Sequence, residues 1–307
     1  MESAIALLIF NRPDATARVF EVVRQVRPAR LLIVADGPRP DRPGEEERCA
    51  AAREVVAKID WPCDVRKNYA DNNLGCRRRV ASGLDWVFEN VSEAIILEDD
   101  CLPHPSFFSY CSALLERYRH DTRIMHIGGN NFGMADRVFG PYSYGFSRFP
   151  QVWGWATWSR AWQHFQLEMT TWPAFRDGGW LRSLPIRGAL LERQARRWKD
   201  AFEGRVDTWD FQWHYAVMSQ HGLAVVPRRN LVSNIGFAAD ATHTRDINSA
   251  KANVSVAELD AHLLHPPFVA SNPAVDEFFS SRMLGDSAAA RTLAKARQLF
   301  GFQGVES

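Results

Sequence analysis

No apolar run in these 307 residues approaches the roughly 18 needed to cross a bilayer. The first run, Ala4–Phe10, has a buried strand's length, and no basic stretch or cleavage signal precedes it, so the chain is expected to be cytoplasmic. Cysteine is scarce. Cys49, Cys63, Cys76, Cys101 and Cys111 form an odd set without a C-x-x-C pair, which argues for free thiols rather than a disulfide framework. In that setting the Asn90-Val91-Ser92 and Asn253-Val254-Ser255 acceptors carry no meaning. Charge of one sign is not in excess: 37 basic against 36 acidic residues weighs against a nucleic-acid partner. Also missing are G-x-G-x-x-G, Walker A, H-E-x-x-H and G-x-S-x-G, which weakens dehydrogenase, NTPase, zincin and α/β-hydrolase readings. No internal repeat or low-complexity linker interrupts the chain.

A composition of 46% hydrophobic and 24% charged residues describes a globular protein. The first hundred residues alternate strand and helix. Strands are read at Ile5–Phe10 and Leu31–Ala35, both continuous apolar runs, at the short segment Cys63–Lys67 and at Ala94–Leu97. Between them, Val19, Val22, Val23 and Val26, then Cys49–Ile59, then Val80, Leu84, Val87, Phe88 and Val91 carry helical spacing. This order predicts an α/β fold with a mostly parallel, helix-flanked sheet. Ligands of such sheets gather at the strands' carboxyl ends, here Asn11, Asp36 and Glu98–Asp100. The second half is aromatic-rich, with nine of eleven tryptophans between Trp153 and Trp213. Helices are expected over 105–119 and 189–203.

Glu98-Asp99-Asp100 is the sharpest signal. Adjacent carboxylates repel, and in a strand Glu98 and Asp100 would share one face. An oxygen-only set that ends a buried strand favours Mg²⁺ or Mn²⁺ shared with substrate phosphates; the bland alternative is a solvated acidic turn. Asn73-Leu74-Gly75 leads into Arg77-Arg78-Arg79 at a helix start. Cations there oppose the helix dipole, and a bound phosphate would resolve the conflict; an exposed basic turn is the alternative. Asp36 before Gly37 suits a base or ribose hydrogen bond, though many turns begin Asp-Gly. Asp210, between Trp209 and Phe211-Gln212-Trp213, is desolvated enough to suit proton transfer, or else caps a helix. The Trp153–Trp162 cluster is either a stacking wall for a sugar or core. His243 is either a metal or phosphate ligand or structural.

Ile95–Phe108, followed by a helix and Met125–Asn130, resembles GT-A-fold nucleotide-sugar glycosyltransferases. The likeness is to the N-acetylglucosaminyltransferase I type and to bacterial hemolytic-protein-like sugar transferases. Gly154-Trp155, Trp209-Asp210 and Thr242-His243 resemble that type's later elements in the same order, and the likeness spans roughly residues 4–245. The resemblance implies a metal ligand at Asp100, with His243 joining it. Glu98 and Asp99 would lie near the ribose and metal-bound waters, and Asp36 at the base or ribose. Arg77 or Arg78 would meet the diphosphate, and Asn11, Arg12 and Gly75 would line the donor site. Asp210 would be the general base of an inverting transfer, with Asp207 a near rival, and Trp153, Trp155 and Trp209 would face the acceptor. The chain shows neither the membrane anchor nor the paired cysteines of the Golgi enzymes, so sugar and acceptor do not carry over.

The expectation is therefore a Mn²⁺- or Mg²⁺-dependent transferase moving sugar from a nucleotide-diphosphate donor to a saccharide or glycolipid acceptor, in bacterial surface polysaccharide or glycolipid synthesis. Residues 1–245 would be the GT-A domain (1–103 donor half, 104–245 acceptor half) and 246–307 a helical extension. Its basic stretch, 288–307, could touch the inner face of the membrane peripherally. Two other readings stay open: a sugar-phosphate nucleotidyltransferase, and a non-catalytic carbohydrate-binding protein.

Overall fold

A computed structural model describes residues 2–236 and 254–284; His243 and the basic stretch 288–307 lie outside the described residues. The first four strands are β1 (Ala4–Ile9), β2 (Arg30–Ala35), β3 (Asp64–Tyr69) and β4 (Glu93–Glu98). They alternate with α1 (Pro13–Val26), α2 (Glu45–Ala57) and α3 (Gly75–Asn90), as the apolar periodicity predicts. Then follow β5 (Cys101–Pro103), α4 (Ser106–Arg117), β6 (Ile124–Gly128), β7 (Tyr144–Ser147), β8 (Trp155–Trp158) and α5 (Ser159–Trp162). The remainder comprises α6 (Trp172–Asp177), α7 (Gly188–Phe202), α8 (Asp210–Ser219), β9 (Leu223–Pro227), β10 (Val232–Asn234) and α9 (Pro273–Leu284).

The main sheet runs β3-β2-β1-β4-β8-β6-β9-β7. The pairs β3–β2, β2–β1, β1–β4 and β6–β9 are parallel; β4–β8, β8–β6 and β9–β7 are antiparallel. Parallel strands covered on both faces need continuous apolar runs, and β1 and the 94–97 stretch of β4 supply them. Their side chains alternate between two cores. Ile5, Leu7, Ile9, Ile95 and Leu97 pack against α1, α2 and α4, while Ala4, Ala6, Leu8, Ala94 and Ile96 pack against α3 and α8. Each fully buried Leu or Ile contributes roughly 1.5–3 kcal/mol, so a charge at Ile33 or Ile96 would break the sheet. A third core joins α6, α7, α8 and α9 through Trp172, Trp198, Tyr215 and Phe279.

Residues 254–284 pack back onto the body. Leu259 and Leu263 enter the first core, and buried Asp276 accepts from Ser147 Oγ (2.8 Å) and pairs with Arg148 (2.9 Å). All five cysteines are free. Among the described residues no helix is long and apolar enough to cross a membrane.

Candidate active site

The four parallel strands deliver their carboxyl ends to one edge. Asn11 and Arg12 follow β1, Asp36 follows β2, Asn73 follows β3, and Glu98 closes β4 in register with Leu8. The chain leaves the sheet after Glu98, and Asp99-Asp100 form a tight turn into β5. This corrects the expectation that Glu98 and Asp100 share a strand face, because the period of two ends before Asp100. Nor is the triad a solvated turn: Asp99 and Asp100 are only 7% and 9% exposed.

Their burial is supported by specific donors. The Phe10 N–H donates to Asp99 Oδ2 at 3.0 Å, and Arg12 Nη1 lies 2.6 Å from Asp100 Oδ2 and 3.7 Å from Asp99 Oδ1. From β10, Asn234 Nδ2 donates to Asp100 Oδ1 at 3.3 Å, and the Ile235 N–H donates to the Asp100 carbonyl at 2.8 Å. Among the described residues no hydrogen-bond donor reaches the half-buried Glu98 carboxyl. Desolvation and then the charges of Asp100 and Asp99 push its pKa up to about 8. Burial, followed by the charge of Asp100, pushes Asp99 up to about 7, against the pull of Arg12 and the Phe10 N–H.

The second half of the chain brings two more carboxylates. Asp210 is the first residue of α8, where the helix dipole favours a negative charge, and the Thr208 hydroxyl donates to it. Its charge is felt at Glu98, and also at Arg197 and His214. Asp207 lies over the start of α3: a Cβ built on Gly75 would sit 3.6 Å from Asp207 Oδ2. The half-buried Cys76 thiol feels these charges together, its pKa raised first by desolvation and then by Glu98, Asp207, Asp210 and Asp100 in turn.

Other expected ligand contacts have different tasks. Asp36 Oδ1 accepts from the N–H groups of Gly37 and Leu74 (both 2.9 Å), and Oδ2 from Asn73 Nδ2 (3.0 Å) and the Gly75 N–H (3.1 Å). A carboxylate has about four acceptor sites, so none is left for a base or ribose. Asp36 is itself the anion at the start of α3, and this corrects the expectation of a phosphate there. The arginine run also divides. Buried Arg79 donates to the Ala35 and Asn68 carbonyls. Arg77 donates to the Leu167 carbonyl and pairs with Glu168, both at 3.1 Å, whereas Arg78 is exposed. Asn11 Nδ2 donates to Glu45 at 2.8 Å, and Glu45, fully buried, also receives the Arg39 guanidinium.

The tryptophan wall is core. Trp155 and Trp209 are 0% and 3% exposed and stack at 5.7 Å, so neither ring has a face open to an acceptor. Trp153 is half-buried against Phe132 (5.2 Å). The sequence reading missed Cys76, Glu45, Asn234 and Gly236. A Cβ on Gly236 would lie 2.7 Å from Asp100 Cγ, so only glycine lets that chain cross the carboxylate.

Would these residues suit a divalent cation? Oxygen donors, a Glu98 carboxyl without a donor among the described residues, and the adjacent Asp99 and Asp100 with Arg12 as their cation form chemistry that Mg²⁺ or Mn²⁺ neutralises. Among the described residues no three His, Cys, Asp or Glu converge as a cage. An ion bound by one or two carboxylates plus substrate phosphates requires none.

No family model matches the chain, and no curated protein matches it. Among solved structures it is similar to a mannosyltransferase from Pyrobaculum calidifontis in complex with GDP-Man and Mn²⁺ (10% identity, TM-score 0.36, covering 72% of this chain and 70% of that one). It is also similar to a 4-diphosphocytidyl-2C-methyl-D-erythritol synthase from Anaerococcus prevotii (9% identity, TM-score 0.33, 66% and 84%). A third is mouse xyloside xylosyltransferase 1 (12% identity, TM-score 0.32, 71% and 82%).

Proposed function

We propose that this chain is a GT-A-type glycosyltransferase that moves a sugar from a nucleotide-diphosphate donor to an acceptor hydroxyl, with inversion. Residues 1–245 would form the transferase unit and 246–307 an extension, serving bacterial surface polysaccharide or glycolipid assembly. One observation carries the reading: the charges of Glu98 and Asp100, at the carboxyl end of a parallel strand, and of Asp207 and Asp210, from the aromatic half, are all felt at Cys76 at the start of α3. Two acidic groups on separate elements suit a reaction with a charged leaving group on one side and a proton to remove on the other.

Asp100, with Glu98 beside it, would hold Mg²⁺ or Mn²⁺ together with the donor phosphates, where the ion offsets charge on the departing diphosphate. Arg12, which pairs with Asp100, would meet a phosphate oxygen as well. Asp210 takes the proton of the acceptor hydroxyl. The acceptor oxygen bonds to the anomeric carbon as the bond to the diphosphate oxygen breaks, and that electron pair leaves with the nucleoside diphosphate.

The test is a thermal-shift panel of nucleotide sugars with and without Mn²⁺. Joint stabilisation by one donor and metal is expected, about 5 °C at a hundredfold excess over Kd. Release of pyrophosphate instead of nucleoside diphosphate would turn the assignment to a nucleotidyltransferase. Sugar binding indifferent to Mn²⁺ and chelator would reduce the protein to a lectin-like binder.

A further inference from the structure

With Trp155 and Trp209 in the core, the acceptor needs another surface, and the fold offers one beside the carboxylates. A cleft of about 450 Å³ runs along α3 against the 165–168 segment, lined among others by Leu74, Arg78, Ser82, Asp85, Phe165 and Glu168. Its volume lies within the roughly 300–1,000 Å³ of small-molecule sites. A larger cleft, about 960 Å³, opens at Ala4 and Glu93, the amino ends of β1 and β4, away from the acidic site.

One feature ties the first cleft to the acids, and two more shape its walls. Leu74 at its rim, 45% exposed, donates its N–H to Asp36 and immediately precedes Gly75, over which Asp207 lies. The far wall is fastened to α3 by Arg77, through the Leu167 carbonyl and Glu168. Phe165 is held flat on Trp162, centroids 4.1 Å apart at 11°, and its remaining surface lines the cleft. Asp85 accepts from the Trp162 indole at 2.8 Å, so its second oxygen is free of that bond.

We infer that this cleft is the acceptor site and that its ligand is a saccharide; the inference rests on the transferase reading above. Leu74 and Phe165 offer an apolar and aromatic surface for the C–H face of a pyranose ring. Asp85 and Glu168 accept from hydroxyls, and Arg78 and Ser82 donate. With one exposed guanidinium set against Asp85, and Glu168 already paired to Arg77, the lining has no surplus positive charge to select a free anion. A sugar seated along α3 with its reactive hydroxyl at the Leu74 end would lie next to Gly75, over which Asp207 sits.

The experiment screens the full chain, as wild type, Ser82→Tyr and Phe165→Ala, on an array of bacterial and eukaryotic glycans. Ser82 is exposed, so tyrosine fills the cleft without entering the core. Phe165→Ala removes the ring and can loosen Trp162, which makes Ser82→Tyr the decisive variant. Wild type should capture one or more saccharides, and each variant should weaken capture about tenfold, the worth of one aromatic contact. No capture by wild type, or full capture by Ser82→Tyr, would overturn the inference. The nucleotide-sugar panel on wild type separates the failures: donor and Mn²⁺ stabilisation without glycan capture sinks only this cleft, and absence of donor stabilisation sinks the transferase itself.

Discussion

Arg12, one residue before α1, and Asp100, two residues beyond β4, meet at 2.6 Å and pin the ends of the two central parallel strands together. The pair is largely shielded, so its charges act at close range. Asp100→Ala removes the 2.6 Å partner of Arg12, keeps Asp99 Oδ1 at 3.7 Å, and removes one of the repelling carboxylates. The apo fold should survive with a lowered Tm, because Arg12 and Asn234 each lose an acceptor. Donor stabilisation that depends on Mn²⁺ should vanish. Titration of UDP or GDP with Mn²⁺ checks this, and unchanged affinity would remove Asp100 from the donor site.

Gly236 gives a subtler test of the same carboxylate. Alanine there collides with Asp100 Cγ and Cβ (2.7 and 2.8 Å), and Asp100 is held by Asn234 and by backbone, so one of the two must move. Gly236→Ala should retain the far-UV spectrum of wild type and lose donor affinity at least about tenfold, the penalty of misplacing one charged contact. Wild-type donor affinity would show that the crossing of Asp100 by residue 236 has no bearing on the site.

Asp36 should behave as structure. Asp36→Asn keeps one acceptor oxygen but turns an NH₂ toward N–H donors, leaving two of the four without a partner. Each buried unpaired donor costs about 1–3 kcal/mol, so a loss of about 3 kcal/mol in unfolding free energy is expected. Urea denaturation measures it. A fall in donor affinity with unchanged stability would return Asp36 to the ligand.

Acid should weaken the fold through His126. Its ring stacks on Trp155 at 5.0 Å, Nδ1 accepts from the Trp213 indole at 3.2 Å, and Nε2 donates to the Gln151 carbonyl at 3.1 Å. Burial holds its pKa down to about 3, from 6.5. Between these values the unfolded chain binds the proton and the folded one does not, so stability falls as pH drops from 6.5 toward 3. The contribution is about 2 kcal/mol between pH 7 and 5. His126→Gln should be less stable at pH 7 yet flatter across that range in denaturant midpoint; an equal slope would assign the acid sensitivity elsewhere.

Continuous apolar runs made β1, β2 and β4 legible in the sequence, and with them the strand ends that carry Arg12 and Glu98–Asp100. The antiparallel strands were not legible. Tyr144–Ser147 and Trp155–Trp158 are four residues long and mix aromatics with Gly, Thr and Ser, so neither alternation nor a β-branched run marks them. The saturation of Asp36 depends on Leu74 and Gly75, 38 and 39 residues away, and no local pattern announces such a pairing. The tryptophans misled for a related reason: spacing cannot tell a ring that faces a sugar from one stacked on another ring. Gly236 carried no signal at all, since its need for a bare backbone arises only from Asp100.

Asp210 tests the chemistry itself. In the transfer proposed above the base must lie on the face of the anomeric carbon opposite the leaving diphosphate, and Asp100 would be on the diphosphate side. Asp210 comes from α8 in the other half of the chain, yet its charge reaches Glu98. Asp210→Asn preserves size and the contact with Thr208, and removes the capacity to hold a proton. General-base catalysis contributes about 10²–10⁴-fold, so kcat should fall by that factor while donor and metal affinity hold. Asp207 is exposed at the start of α3, and Asp207→Asn should cost less. Single-turnover rates at saturating donor separate the two. Near-full turnover in the Asp210 variant, or a loss confined to donor binding, would move the base to Asp207 or make the transfer a retaining one.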